Sequence, residues 1–228
     1  MMVLPSTGVV MTELILRRAL SFRLIWPAWS AKRALELLLI AMLAPLWGPL
    51  LVGLMLAVGR APFYAQDRVG LHGRLFRMWK LRSMRPGAEG QLAVLLSDPL
   101  RRREWIRHGK LARDPRITPL GQWLRRHSLD ELPQIWNVIR GDMALVGPRP
   151  LLPGEIAREY GAAAARVVSV RPGMTGSWQV SGGMNGRNSL SYAERLRLDL
   201  AYARGSTLRS DLMILLRTVG AILRGSGR

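Results

Sequence analysis

The residues with most chemical potential lie between Asp114 and Pro150, in DPRITPLGQWLRRHSLDELPQIWNVIRGDMALVGPRP. Asp130 and Glu131 are adjacent carboxylates just ahead of Pro133, a residue tolerated only in the first turn of a helix. The pair therefore sits at a helix entrance. Two uses of it remain open from spacing alone. Asp130 can serve as a cap, with Ser128 and Glu131 forming an S-x-x-E capping box. Alternatively, two carboxylates with Arg125 and Arg126 upstream can hold Mg²⁺ and a phosphate, because magnesium takes one or two carboxylates plus phosphate oxygens. A carboxylate can also attack phosphorus and form an acyl phosphate.

Gly147-Pro148-Arg149-Pro150 is the second feature. Prolines on either side fix the backbone, so Arg149 is presented with little freedom left to lose, as bidentate phosphate recognition requires. A rigid loop carrying a solvated arginine is the plainer alternative. Arg171-Pro172-Gly173-Met174-Thr175-Gly176 is a turn with flexible glycines and one cation.

The elements that must position these groups are short. Ala61 to Gly73 is turn-rich, Leu75–Leu81 predicts a strand, and Gln91–Gly109 and Leu120–His127 predict helices. A third helix is expected from near Asp130 to Ile139. Val167–Val170 and Ser177–Val180 read as strands, Leu190–Tyr202 as a helix, and Leu208–Leu223 as an amphipathic helix able to lie on a membrane or on the domain. The expected class is an α-rich α+β fold with one catalytic domain over 59–228, behind a basic arm (1–33) whose stretch Met11–Trp26 reads as a surface helix or an untidy terminus.

From Ala34 to Val58 the chain is apolar except for Glu36. At about 1.5 Å per residue the stretch covers a hydrocarbon core of about 30 Å. Pro45, Gly48 and Pro49 interrupt its midpoint, and both flanks are cationic, with Lys32 and Arg33 before and Arg60, Arg68, Arg74, Arg77 and Lys80 after. A crossing helix places most cations on one side. A hairpin that enters the membrane and returns, over 34–58 and broken at Pro45, is the preferred expectation over a crossing helix.

Composition sets the outer bounds. In 228 residues, 34 Lys and Arg oppose 15 Asp and Glu, giving a net charge of +19, while 49% of residues are hydrophobic. The apolar content excludes a disordered basic tail. The absence of cysteine excludes disulfide scaffolds and thiolate sites, and the scatter of His72, His108 and His127 argues against a zinc site. Such charge calls for nucleic acid, an anionic membrane or phosphate-bearing substrates. Nucleic acid is disfavoured, since the arginines are dispersed and no binding signature appears.

Five blocks together resemble one family: Lys32-Arg33 before the apolar segment, FRMWKLRSM (Phe76–Met84), DPRIT (Asp114–Thr118), SLDELPQIWNVIRGDMALVGPRP (Ser128–Pro150) and RPGMTG (Arg171–Gly176). The chain is similar to bacterial sugar transferases of the monotopic polyprenyl-phosphate phosphoglycosyl transferase type. The resemblance implies transfer of a sugar-1-phosphate from a UDP-sugar to a polyprenol phosphate at the cytoplasmic face of the bacterial inner membrane, with release of UMP, to start a surface glycan. It implies Asp130 as nucleophile, Glu131 and Asp130 toward Mg²⁺, and nucleotide or phosphate recognition by Pro148, Arg149 and Pro150. Lys80, Arg82, Arg126 and Arg171 are the further candidate substrate-binding cations. The membrane break falls on Pro45. Anionic lipids are expected partners, nucleic acid is not, and a homodimer is compatible. A non-catalytic scaffold of the same fold is the alternative to an enzyme, and the intact Asp130-Glu131 pair counts against it.

The chain departs from the family pattern in four places. Ala44 stands where a serine often precedes the break proline, so another group must satisfy a freed carbonyl. Glu36 replaces the usual Asp, Ser181–Arg187 is longer than its counterpart, and a typical aromatic is missing near Gly205–Leu208.

Overall fold

A computed structural model describes residues 27–108, 111–181 and 190–224. The expected surface helix at 11–26 and the lengthened loop within 182–187 lie outside the described residues. The first element, α1, is a helix over Pro27–Val58. It starts seven residues before the apolar run and includes Lys32, Arg33 and Glu36, whose three- and four-residue spacing stacks them on one face: Arg33 lies 3.6 Å and Lys32 4.0 Å from Glu36. Backbone structure stays helical through Pro45 and Pro49, where the sequence predicts a break. The carbonyls that the two prolines free are those of Ala41 and Pro45; near them the Trp47 indole N–H donates to the Ile40 carbonyl at 2.9 Å.

A hairpin follows. Strand β1 (Phe63–Val69) pairs antiparallel with β2 (Leu75–Leu81), Phe63 opposite Leu81 and Val69 opposite Leu75. The sequence reading missed β1 because Gln66, Asp67 and Arg68 break its apolar alternation, although Arg68 is buried. Helices α2 (Ala88–Leu95) and α3 (Pro99–His108) replace the single helix expected over 91–109. The split falls at Asp98, whose carboxylate accepts from the Leu100 N–H at 2.8 Å and starts α3 just before Pro99. Helix α4 (Pro119–Arg126) is capped by Thr118, which accepts from the Gly121 N–H at 2.9 Å. A 3-10 turn, Leu129–Glu131, then leads through Pro133 into α5 (Gln134–Arg140).

Strand β3 (Ala144–Val146) pairs in parallel with β4 (Gly173–Thr175). The chain between them is helical in short pieces: Pro153–Glu155, Ile156–Tyr160, Gly161–Ala163 and Ala164–Val167. Helices α6 (Ser177–Ser181), α7 (Tyr192–Gly205) and α8 (Leu208–Leu223) complete the domain. The strands expected at 167–170 and 177–180 are therefore a helix end and a helix. The place beside β3 goes to Gly173 because the backbones meet too closely for any side chain: a Cβ on Gly173 would lie 2.0 Å from the Gly147 nitrogen.

Both halves of α1 rest on this one domain. Ile40 joins Met78, Ile135, Val138 and Met143 in one apolar cluster, with Trp47 against it. Leu54 joins Leu81 and Leu124 in another, with Leu51, Met55 and Val58 against it. The outward face is bare, with Met42 68% and Leu46 72% exposed. Helix α8 repeats the pattern, burying Ile214 against Val146 and Tyr202 while Leu212, Leu216 and Leu223 stay exposed. The result is a helix-rich α+β domain carrying one long apolar helix, the only described helix long and apolar enough to cross a membrane.

Candidate active site

Asp130 and Glu131 sit in the 3-10 turn, whose flanking Leu129 and Leu132 are both packed into the apolar clusters beneath α1. That anchoring forces a tight approach. Ser128 enters the turn with φ 56, a left-handed conformation costly for a residue with a Cβ. No side-chain cap bond accompanies it, so the capping-box reading fails. Lys80, from β2, stands against the pair, its ammonium 2.9 Å from Glu131 Oε1 and 3.9 Å from Asp130 Oδ2. The Asp130 side chain is 9% exposed and that of Glu131 22%.

Of the two neighbouring arginines, Arg125 faces the pair and Arg126 is exposed. Arg125 donates to Ser83 Oγ at 2.8 Å. Burial lowers its pKa, opposed by the negative charges of Asp130 and Asp114. In the DPRIT block, Arg116 grips Asp114 with two guanidinium bonds of 2.8 and 2.6 Å. Burial alone would raise the Asp114 carboxyl, but those bonds hold it below the ordinary carboxylate range. This block is a buried brace behind the site.

The Pro-Arg-Pro segment leaves β3 with Pro148 and Pro150 buried. The Arg149 guanidinium lies 5.4 Å from the Trp178 ring, and Arg195 lies 5.0 Å from the same ring. Beneath them Asp199 accepts from the Arg149 backbone N–H and, at 2.9 Å, from the Tyr160 hydroxyl. Burial pushes the Asp199 carboxyl up to about 7 in spite of both bonds. Arg68 completes the group from β1. It donates to the Pro150 carbonyl at 3.2 Å and to Gln66 at 2.7 Å, and lies 3.6 Å from Glu155. Burial, then the like charge of Arg149, bring its pKa down to about 10, against the pull of Glu155 and Glu131. Arg68 Nε, Arg195 Nε and Trp178 Nε1 are buried without a hydrogen-bond partner. Arginines crowded together with spare donors make a place for an anion.

Arg68 thus connects the two centres, feeling Glu131 on one side and Arg149 on the other. Other sequence candidates fall elsewhere. Arg82 donates to the carbonyls of Ala61 at 2.8 Å and Phe63 at 3.1 Å, fastening the exit from α1. Arg171 donates to the Gly141 carbonyl at 2.9 Å and lies near Arg33 and Glu36, at the anchored end of α1. The backbones of the two loops do meet, Gly173 N donating to the Pro148 carbonyl at 2.7 Å. The sequence reading missed Arg68, Trp178, Arg195 and Asp199. One signal was available: Arg195 and Asp199 are four residues apart on α7, an opposite-charge pair on one face.

No group of three or more acidic or histidine side chains that could hold a metal occurs among the described residues. Asp130 and Glu131 offer hard oxygens and already hold a cation in Lys80. That donor set fits Mg²⁺, which fills its remaining positions with phosphate oxygens and water.

An acidic pair under a lysine and a group of crowded arginines thus lie in one helix-rich domain that carries a long apolar helix. The chain belongs to the bacterial sugar transferase family, whose model matches residues 28–225. It is 44% identical over 200 residues to the UDP-galactose-lipid carrier transferase of Erwinia amylovora, covering 86% of this chain and 41% of that protein. It is 42% identical over 200 residues to the undecaprenyl-phosphate galactose phosphotransferase of Salmonella typhimurium, with the same coverage. It is also 38% identical over 202 residues to the exopolysaccharide production protein ExoY of Rhizobium meliloti, covering 86% of this chain and 87% of that one. The chain spans about two-fifths of the length of the first two relatives.

Proposed function

We propose that this protein moves a sugar-1-phosphate from a UDP-sugar to a polyprenol phosphate through a covalent intermediate on Asp130, releasing UMP. The observation that carries the reading is the Asp130-Glu131 pair held under Lys80 beside the arginine group of Arg68, Arg149 and Arg195. The names of the relatives, lipid-carrier and undecaprenyl-phosphate transferases, supply the substrate classes.

Lys80 and Arg125 offset the negative charge of the pair, reducing the repulsion an anionic diphosphate meets. Arg149 and Arg68 receive the nucleotide-side phosphate. An Asp130 oxygen attacks the phosphorus bearing the sugar; that O–P bond forms as the bond to the UMP oxygen breaks. A phosphate oxygen of the lipid then attacks the same phosphorus, and the bond to Asp130 breaks, restoring the carboxylate. Mg²⁺, held by Glu131 and Asp130, would supply charge neutralisation at the diphosphate.

The same reading places the enzyme on the cytoplasmic face of the inner membrane, with α1 re-entrant. Support comes from how α1 is held. Ile40 and Leu54 are fourteen residues apart, about 21 Å along a straight helix. Their partners Met78 and Leu81 are three residues apart on β2, about 10 Å. Re-entry asks for a bend, which Pro45 and Pro49 favour by removing helix hydrogen bonds, and packing of both Ile40 and Leu54 on the one domain keeps both ends of α1 beside it. The exposed apolar middle then enters lipid alone.

The test is a quench of purified enzyme with UDP-sugar and no acceptor. Mass spectrometry should find a phosphosugar adduct on the peptide carrying Asp130, with UMP released in equal amount. Product formation with no adduct at that peptide would refute the covalent route.

A further inference from the structure

Between α1 and the domain lies an apolar cavity of about 310 Å³. Trp47 and Leu51 of α1 form one wall, Phe63 and Trp79 of the hairpin another, and Trp136 and Ile139 belong to α5, which flanks the space. The volume falls within the roughly 300–1,000 Å³ of small-molecule sites, and its lining carries no charged side chain. The space is open to the surface on one side, where Ile139 and Trp136 are exposed. Trp47 is not free to swing in and fill it, since its indole is bonded to the Ile40 carbonyl.

Position says what it is for. Leu132 and Pro133, which line it, directly follow Glu131; Trp79, which also lines it, directly precedes Lys80. The cavity lining is thus continuous in the chain with the acidic turn through Leu132, and on α1 it adjoins the exposed apolar residues Leu46 and Leu50. Trp136, half-exposed at 55%, stands at the boundary. A ligand suited to both neighbourhoods has a phosphate head and a branched hydrocarbon tail.

We infer that this cavity seats the first isoprene units of the acceptor, so that a polyprenyl chain lies between α1 and α5 while its phosphate reaches Asp130. The inference rests on the proposed transfer reaction and adds the acceptor's tail site to it. Aromatic faces suit this occupant: methyl-branched alkene units lie flat on indole and phenyl rings. The cavity's wall on α1 also gives the membrane helix a role beyond anchoring, because the acceptor is drawn from lipid along the same surface.

The experiment uses full-length enzyme in detergent with a short isoprenyl phosphate bearing a photoreactive diazirine near the head. Label should appear on the peptides carrying Trp47–Leu51 and Leu132–Ile139, and farnesyl phosphate should compete it away while excess phosphatidylglycerol does not. Equal competition by phosphatidylglycerol would mean a general acyl-chain slot and overturn the inference, as would label confined to other peptides. Ile139→Trp, which narrows the cavity, should raise the acceptor KM about tenfold or more. Rates are normalised to the burst of UMP released without acceptor, which counts folded, donor-competent enzyme. An unchanged acceptor KM would overturn the inference. Labelling reads binding without turnover, so absence of UMP release from every UDP-sugar would fail the transfer reading and leave the tail site separately testable.

Discussion

The acidic pair and the arginine group, the two centres of the proposed transfer, handle charge in opposite ways. Around Asp130 and Glu131 the opposing cation is a lysine, a compact ammonium on a flexible stem, 2.9 Å from one carboxylate and 3.9 Å from the other. Around Arg149 the cations are planar guanidiniums pinned by Trp178, the Pro150 carbonyl and Gln66. The first arrangement can rearrange when substrate arrives; the second is set beforehand. Chemistry needs a carboxylate that can be uncovered, whereas recognition gains from donors already immobile. The backbone agrees with this division: the acidic turn is entered through a left-handed Ser128, and the arginine segment through two buried prolines.

The contrast is broken most directly at its reactive end. Asp130→Asn should keep UMP binding and lower both UMP release and sugar transfer by about a thousandfold or more. Retention of more than a few percent of turnover would move the nucleophile elsewhere. Glu131→Gln should leave residual turnover but shift the Mg²⁺ titration to about tenfold higher concentration, read from initial rates; an unmoved titration would remove Glu131 from metal binding. At the recognition end, Arg68→Lys and Arg149→Lys keep the charge and lose the fork. Each should raise the UDP-sugar KM about tenfold with a smaller change in kcat, measured by steady-state kinetics. A kcat loss with constant KM would place these arginines in the chemical step instead.

The smallest effect concerns the carboxyl beneath Arg149. The Asp199 pKa is raised in the fold to about 7, so its contribution to stability is fully present below the unfolded value near 3.8 and is lost as pH rises through about 7. Melting temperature should therefore fall by a few degrees from this group between those limits. Asp199→Asn should flatten that slope in detergent-solubilised protein; a slope identical to the parent would assign the pH dependence elsewhere.

How much of this was readable beforehand depended on whether local sequence or distant packing made the decision. β2, α4 and α8 follow local apolar patterning and turn residues, and the predicted Leu75–Leu81 and Leu208–Leu223 are the observed bounds. Arg149 stood out because a proline flanks it on either side, and Asp130 and Glu131 because Pro133, three and two residues on, marks a helix entrance. β1 did not stand out, since Arg68 is polar by type and buried by place. Likewise Ser177–Ser181 has strand-like residues, yet the position beside β3 requires a glycine, and Gly173 fills it. Arg82, Arg126 and Arg171 share charge and motif with the site residues, and only the three-dimensional path of each side chain separates them from Arg68 and Arg125.

The double attachment of α1 has a practical consequence for anyone wishing to cut the protein down. Deleting the helix would strip the cover from Met78, Val138 and Met143 at one place and from Leu81 and Leu124 at another. It would also strand Asp211, whose ion-pair partner at 2.7 Å is Lys32. What remained should be an opened core prone to aggregation, so α1 is as much a structural layer of the domain as any helix that follows it.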